Sequence, residues 1–141
     1  MAGKGVSNIY CWGMESGDLK IYLASTDTGA LRVGIRLDKS GDCMTYFRGI
    51  FPSESIVKDK SRNRLLFTSV EAALNNRPEH SRLPLDIKGT PFQRRVWKVI
   101  KRIPFGQTKS YGEVASMVGV PGGARAVGQA LGRNPLPLVF P

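Results

Sequence analysis

Three side chains in this 141-residue chain have the chemistry of soft ligands or nucleophiles: Cys11, Cys43 and His80. The two cysteines stand well apart and form no CxxC pair, so neither a zinc ribbon nor a disulfide framework is indicated. With His80 they supply at most three ligands, fewer than a closed structural zinc site requires. The ordinary reading is two buried or half-buried thiols; the alternative is a single disulfide, which spacing does not decide. No paired acid and base, phosphate-cradling glycine loop or Ser/His/Asp order occurs. Two other side chains with chemical reach, Arg125 and Tyr111, each stand at the start of a short helical pattern late in the chain.

Charge says what such residues would meet. The chain carries 21 Lys and Arg against 11 Asp and Glu, a formal net charge of +10. Residues 1–85 hold 12 basic and 9 acidic side chains, whereas 86–141 hold 9 basic side chains and only Asp86 and Glu113 as acids. A positive field concentrated in one segment favours a polyanion, most often nucleic acid; the competing reading is a merely solubilising basic face. The hydrophobic fraction of 41% is that of a globular protein. The apolar runs fall far short of the roughly 20 residues of a membrane helix, and the N-terminus lacks a signal-peptide core. A soluble intracellular protein with no membrane partner is expected, in cytoplasm or nucleoid, or in the nucleus if the source is eukaryotic.

The elements that must position these residues fall into two groups. Leu31, Val33, Ile35 and Leu37 alternate with Arg32, Gly34, Arg36 and Asp38, the period of a strand with one buried face. With 19–25 and 43–51 as flanking strands, this predicts a three-stranded antiparallel meander. Leu65, Leu66, Val70, Ala73 and Leu74 recur at helical spacing over 62–75, a helix able to cover one face of it. Residues 80–88 read as an extended connection, and the domain boundary is placed there: 1–85 as an N-terminal α/β domain, 86–141 as a C-terminal helical domain.

The second group has clear helix grammar. Thr90, Pro91 and Gln93 form an N-cap, a proline at N1 and a capping-box partner, followed by Phe92, Val96, Val99, Ile100 and Ile103 on one face. Arg94, Arg95, Lys98, Lys101 and Arg102 occupy the other, and Trp97 reads as core. Ser110 and Glu113 make a second capping box, opening a helix expected to bury Val114, Met117 and Val118. After the turn Val120-Pro121-Gly122-Gly123 a third helix runs from Ala124 to about Leu131. Two short helices around a tight glycine turn satisfy a helix-turn-helix, whose second helix meets DNA. That second helix is nearly bare, with Ala124, Ala126, Gly128 and Ala130, and offers little for reading major-groove base edges. Two readings stand: a helix shaped for close approach to a narrow groove with Arg125 reaching into the stack, or a small-residue helix packed tightly on a neighbour. Tyr111 at N1 reads more readily as a core aromatic than as a functional group. Asn134-Pro135 is an ordinary turn signal, and the apolar run from Leu136, punctuated by Pro137 and Pro141, reads as a rigid strand-like approach to a site.

These segments also carry a resemblance. TPFQRRVW at 90–97, IPFGQTKSYGEVA at 103–115, GGARAVGQALGRNP at 122–135 and LPLVFP at 136–141 are similar, in order and spacing, to the O6-alkylguanine-DNA alkyltransferases. The resemblance implies an α+β protein: an N-terminal ribonuclease H-like domain with a three-stranded antiparallel sheet and helix, then a helical domain with a helix-turn-helix. Its partner would be duplex DNA containing O6-alkylguanine, entered through the minor groove by a monomer, without metal or cofactor. Arg125 would fill the space left by the extruded guanine and Tyr111 would crowd the neighbouring phosphate, a base-flipping arrangement. Gly112, Gly123, Ala124 and Arg133 would join them against DNA; Leu131 would line the alkyl pocket, with Asn134 and Pro137 supporting it.

In this family a cysteine thiolate, activated by a histidine through water, displaces guanine from the alkyl carbon and stays alkylated. Its Cys-His-Arg motif follows at once on the residue matching Pro141. Cys11, Cys43 and His80 do not match it in position, so this chain is expected to be a truncated form that holds DNA and transfers nothing. The alternatives are a non-enzymatic alkyltransferase-like lesion-binding protein, in which tryptophan replaces the cysteine, and a simple helix-turn-helix DNA-binding module.

Overall fold

The computed structural model describes residues 8–77, 83–104 and 106–139; His80, Phe140 and Pro141 lie outside them. Three antiparallel strands form as expected, two of them over the predicted segments at 19–25 and 31–37, the third from 8–16 instead of 43–51. β1 (Asn8–Ser16) and β2 (Leu19–Ser25) make a hairpin about Gly17-Asp18, and β2 pairs β3 (Ala30–Arg36). A fourth strand, β4 (Ser55–Lys58), runs parallel to β1, giving the order β3-β2-β1-β4.

Residues 43–51, predicted as a strand, instead supply the helix α1 (Cys43–Ile50). Their β-branched and aromatic content favours a strand only as a weak local preference, which context overrides. Asp42 caps the helix, its carboxylate accepting from the Thr45 amide at 2.9 Å. Cys43 and Phe47, four apart, are then buried together against the sheet. Tyr46 lies so close over β3 that a Cβ on Gly34 would fall 2.1 Å from its hydroxyl. The Asp-x-x-Thr cap and the Cys43/Phe47 spacing were the available signals.

The single buried face predicted for 31–37 is also not what forms. A register shift at Ala24/Ser25 leaves Leu31 without a partner across β2, as in a β-bulge. Leu31 therefore packs beneath α1 with Ile9, Tyr22 and Phe47, while Val33 joins the opposite face. Ile35 is 38% and Leu37 78% exposed. Both faces of the sheet are thus covered, α1 on one and α2 (Arg64–Leu74) on the other through Leu66 and Val70.

The connection at 83–88 runs along β3: Ala30 N–H donates to Pro84 O and Asp86 N–H to Ala30 O, both at 2.8 Å. It leads into α3 (Pro91–Arg102), α4 (Tyr111–Met117) and α5 (Ala124–Gly132). Val96, Trp97, Ile100, Val114, Val127, Leu136 and Val139 share one cluster with Ile21, Leu23 and Val33 of the sheet. The helices accordingly share their apolar core with the sheet. No helix among the described residues is long and apolar enough to cross a membrane.

Candidate nucleic-acid interface

Both predicted capping boxes form. Thr90 Oγ1 accepts from the Gln93 amide while Gln93 Oε1 accepts from the Thr90 amide, each at 3.0 Å. Ser110 Oγ accepts from the Glu113 amide at 3.1 Å and Glu113 Oε1 from the Ser110 amide at 2.9 Å. A cap of this kind stabilises a helix by about 1 kcal/mol, which matters most for α4, only seven residues long. The hydrogen bonds from Ser110, backbone first, hold the Glu113 carboxyl below the usual glutamate range.

α4 buries Val114 and Ala115, not the Met117 that was expected; Met117 is 52% exposed. The helix ends at Met117, and the chain turns back through Val118 and Gly119, whose φ of +86° suits a residue without a Cβ. Gly122, at φ +85°, makes the second sharp step. Val120 N–H donates to Ala115 O at 2.8 Å and Gly123 N–H to Val120 O at 2.9 Å, so the turn is closed by its own backbone. α5 then starts on Gly123 with no side-chain cap, leaving its first amides open to an acceptor from outside.

Only Val127 and Ala130 of α5 are buried. Arg125, Ala126 and Gln129 are exposed and Ala124, Gly128 and Leu131 half-buried. The bare helix thus packs on its inner side and at Gly128, and keeps an exposed face that carries Arg125. Its inner side is anchored by Trp97, whose indole Nε1–H donates to Ala130 O at 2.8 Å in the core.

Tyr111 is not core: it is 53% exposed. A Cβ on Gly128 would stand 3.1 Å from Tyr111 Cε2 and 3.4 Å from Cδ2. The first residue of α4 thus rests on the gap that glycine leaves in α5, bringing Tyr111 beside the helix that carries Arg125. Sequence reading missed this pairing, since the partners lie 17 positions apart; a glycine on an otherwise alanine-lined helix face was the one signal for it.

Beyond α5, Gly112 and Arg133 are exposed and Gly123 is half-buried. Asn134 Oδ1 accepts from the Leu136 amide at 2.8 Å, and Pro135 O accepts from Val33 N–H of β3 at 2.8 Å. The apolar segment is therefore a turn docked on the sheet edge rather than a strand. Val139 N–H returns to Leu136 O at 3.1 Å, with Leu138 held at φ +79° between them. Burial of Leu136 and Val139 in the shared cluster imposes this strained conformation. Pro137 and Leu138 remain half-buried. Arg94, Lys98, Arg102, Arg125 and Arg133 form no ion pair among the described residues, so their charge is available to an external polyanion. The described residues contain no group of three or more His, Cys, Asp or Glu able to hold a metal ion.

Comparison with known proteins places these features. Residues 91–141 match the family model for the DNA-binding domain of 6-O-methylguanine DNA methyltransferase. A methylated-DNA–protein-cysteine methyltransferase of Mycolicibacterium paratuberculosis is 54% identical over 59 residues, 42% of this chain. That alignment spans 36% of the relative's length. The inducible enzyme of that name from Bacillus subtilis is 32% identical over 124 residues, covering 88% of this chain and 69% of the relative. Among solved structures, Mycobacterium tuberculosis O6-methylguanine methyltransferase superposes with a TM-score of 0.70 at 28% identity, over 96% of this chain and 75% of that one. An M. tuberculosis OGT in complex with DNA gives 0.71 at 29% identity, over 94% and 75%. With a relative matched along most of both chains and a fold shared from the first strand to the last helix, this chain belongs to the methylated-DNA–protein-cysteine methyltransferase family.

Proposed function

We propose that this chain engages O6-alkylguanine in duplex DNA, entering the minor groove as a monomer inside the cell, with residues 86–141 as the DNA-engaging unit and 1–85 as its buttress. The observation that carries the reading is the pairing of an uncapped, nearly bare α5 with an exposed Tyr111 seated on Gly128. A helix without long side chains admits a groove wall to its backbone, and Arg125 at its second position has the reach to enter the base stack. Tyr111, seated on Gly128 of the same helix, would crowd a phosphate. Together they favour rotation of one nucleotide outward, at a cost of a few kcal/mol that an alkylated base reduces. The exposed Gly112 and Arg133, with the half-buried Gly123 and Ala124, would follow the DNA backbone, and Leu131, Asn134 and Pro137 would bound the alkyl pocket.

The reaction proposed for the family's site is irreversible transfer of the alkyl group from guanine O6 to a cysteine, with guanine as leaving group. Neither Cys11 nor Cys43 is a candidate acceptor, since both are buried under α1 on the sheet face away from the helical cluster. This 141-residue chain should therefore bind alkylated DNA and remain unalkylated. Arg125→Ala is expected to weaken binding to an O6-methylguanine duplex roughly tenfold or more at fixed salt, with circular dichroism unchanged. Tyr111→Phe should be mild and Tyr111→Ala severe for extrusion, read by a fluorescent base analogue opposite or beside the lesion. Unchanged affinity for Arg125→Ala, or methylation of Cys11 or Cys43 in a peptide map, would refute the assignment.

A further inference from the structure

The two cysteines, ordinary in sequence, meet in the fold. Cys11 lies mid-strand in β1, between Ala24 of β2 and Lys58 of β4. Cys43 is the first residue of α1, directly after the capping Asp42. Their sulfurs are 2.7 Å apart, buried among Ile9, Tyr22, Phe47 and Ile56. A disulfide bond measures about 2.05 Å, so closure requires roughly 0.7 Å of sulfur movement. Both backbones already stand on hydrogen-bonded elements. The two thiols are also unequal. The contact between the two sulfurs foremost, helped by Lys58, pulls the Cys43 pKa down against burial, and the same contact drives that of Cys11 up. Cys43, at the first position of α1, is the sulfur placed by the fold to act as nucleophile, with Cys11 in contact to resolve it.

We propose that Cys11 and Cys43 form a buried dithiol that a peroxide oxidises to an intramolecular disulfide, stapling the start of α1 to the centre of the sheet. The Cys43 thiolate attacks one peroxide oxygen; the O–O bond breaks, hydroxide leaves, and Cys43 becomes a sulfenic acid. Cys11 then attacks that sulfur, the S–O bond breaks, and the departing hydroxide takes up the Cys11 proton as water. Two thiols and one hydrogen peroxide give one disulfide and two waters, the cysteines losing the two electrons that peroxide gains. Because the sulfurs are closed to solvent, the oxidant must be small and must enter as the eight-residue α1 opens locally.

The test is to treat the reduced full chain, at low concentration, with hydrogen peroxide, then denature, alkylate with iodoacetamide and map peptides by mass. The expected product carries no alkylated cysteine and has one peptide pair joining Cys11 to Cys43, lighter by two hydrogens. Dithiothreitol should restore both thiols, and the oxidised chain should melt several degrees higher than the reduced one. Cys11→Ser and Cys43→Ser should show neither the pair nor the rise; should either fail to fold, the map of the unsubstituted chain still decides. Two separately alkylatable thiols, independent sulfinic acids, or cross-linking only between chains would overturn the proposal.

Discussion

The sheet region and the helical region carry their cations differently. In the first, charge is met from within the chain: Arg62 pairs with Asp27 and lies 4.5 Å over the Tyr10 ring, Lys20 and Lys39 share Glu15, and Lys58 and Lys60 flank Trp12. In the second, Arg94, Lys98, Arg102, Arg125 and Arg133 meet neither a carboxylate nor an aromatic ring among the described residues. Exposed pairs stabilise little, about 0–1 kcal/mol each, so the contrast concerns fields more than stability. Arg32, Arg48, Arg64 and Arg77 of the N-terminal part also meet no carboxylate or ring among the described residues, but that part sets 9 acids against 12 basic side chains, while 86–141 sets two against nine and leaves a positive field to be answered from outside. The residue counts already place the excess in 86–141; the structure adds which of its cations stay without an internal partner.

The sharpest test of how the two regions depend on each other is Trp97. Trp97→Ala removes a fully buried indole and its hydrogen bond to Ala130 O, and should cost about 3–5 kcal/mol in chemical denaturation. A loss below about 1 kcal/mol would mean that the helices do not share the sheet's core. The next effect belongs to the helical region alone. Gly128→Ala places a methyl group 3.1 Å from the Tyr111 ring, and should shift that ring and weaken binding to lesion DNA several-fold with little change in melting. An unaltered affinity would separate Tyr111 from α5. The smallest effect is expected in the sheet region: Asp27→Ala, freeing Arg62, should change stability by less than about 1 kcal/mol. It should leave the salt slope of DNA binding unaltered; a steeper slope would show that the sheet's cations reach DNA too.

Much of the helical region was legible because its signals are short. Thr90 with Gln93 and Ser110 with Glu113 act across three residues, and the apolar spacing of α3 needs nothing beyond its own turns. The sheet region was harder. Residues 8–16 gave no alternation strong enough to mark the central strand, and 43–51 read as a strand until Asp42 capped them and the sheet buried Cys43 with Phe47. Leu31 kept its period in sequence and lost it in space, since a bulge reverses a side chain without altering the pattern. Residue type reads Tyr111 as core while the family resemblance puts it against DNA; the gap at Gly128 seats it at the surface, 53% exposed.

By itself the sequence determined the strands at 19–25 and 30–36, the helices from α2 onward with the caps of α3 and α4 and the turn before α5, the bias of positive charge toward 86–141, and the motifs that identify the family. These rest on neighbours a few residues away or on composition, which are present in the chain before it folds. Only the tertiary structure decided that Tyr111 stands on Gly128, that residues 134–139 turn back onto β3, and that Cys11 faces Cys43 across a sulfur contact. Each joins residues far apart in the chain, and the shared core that closes those distances is formed by burial rather than by any local preference.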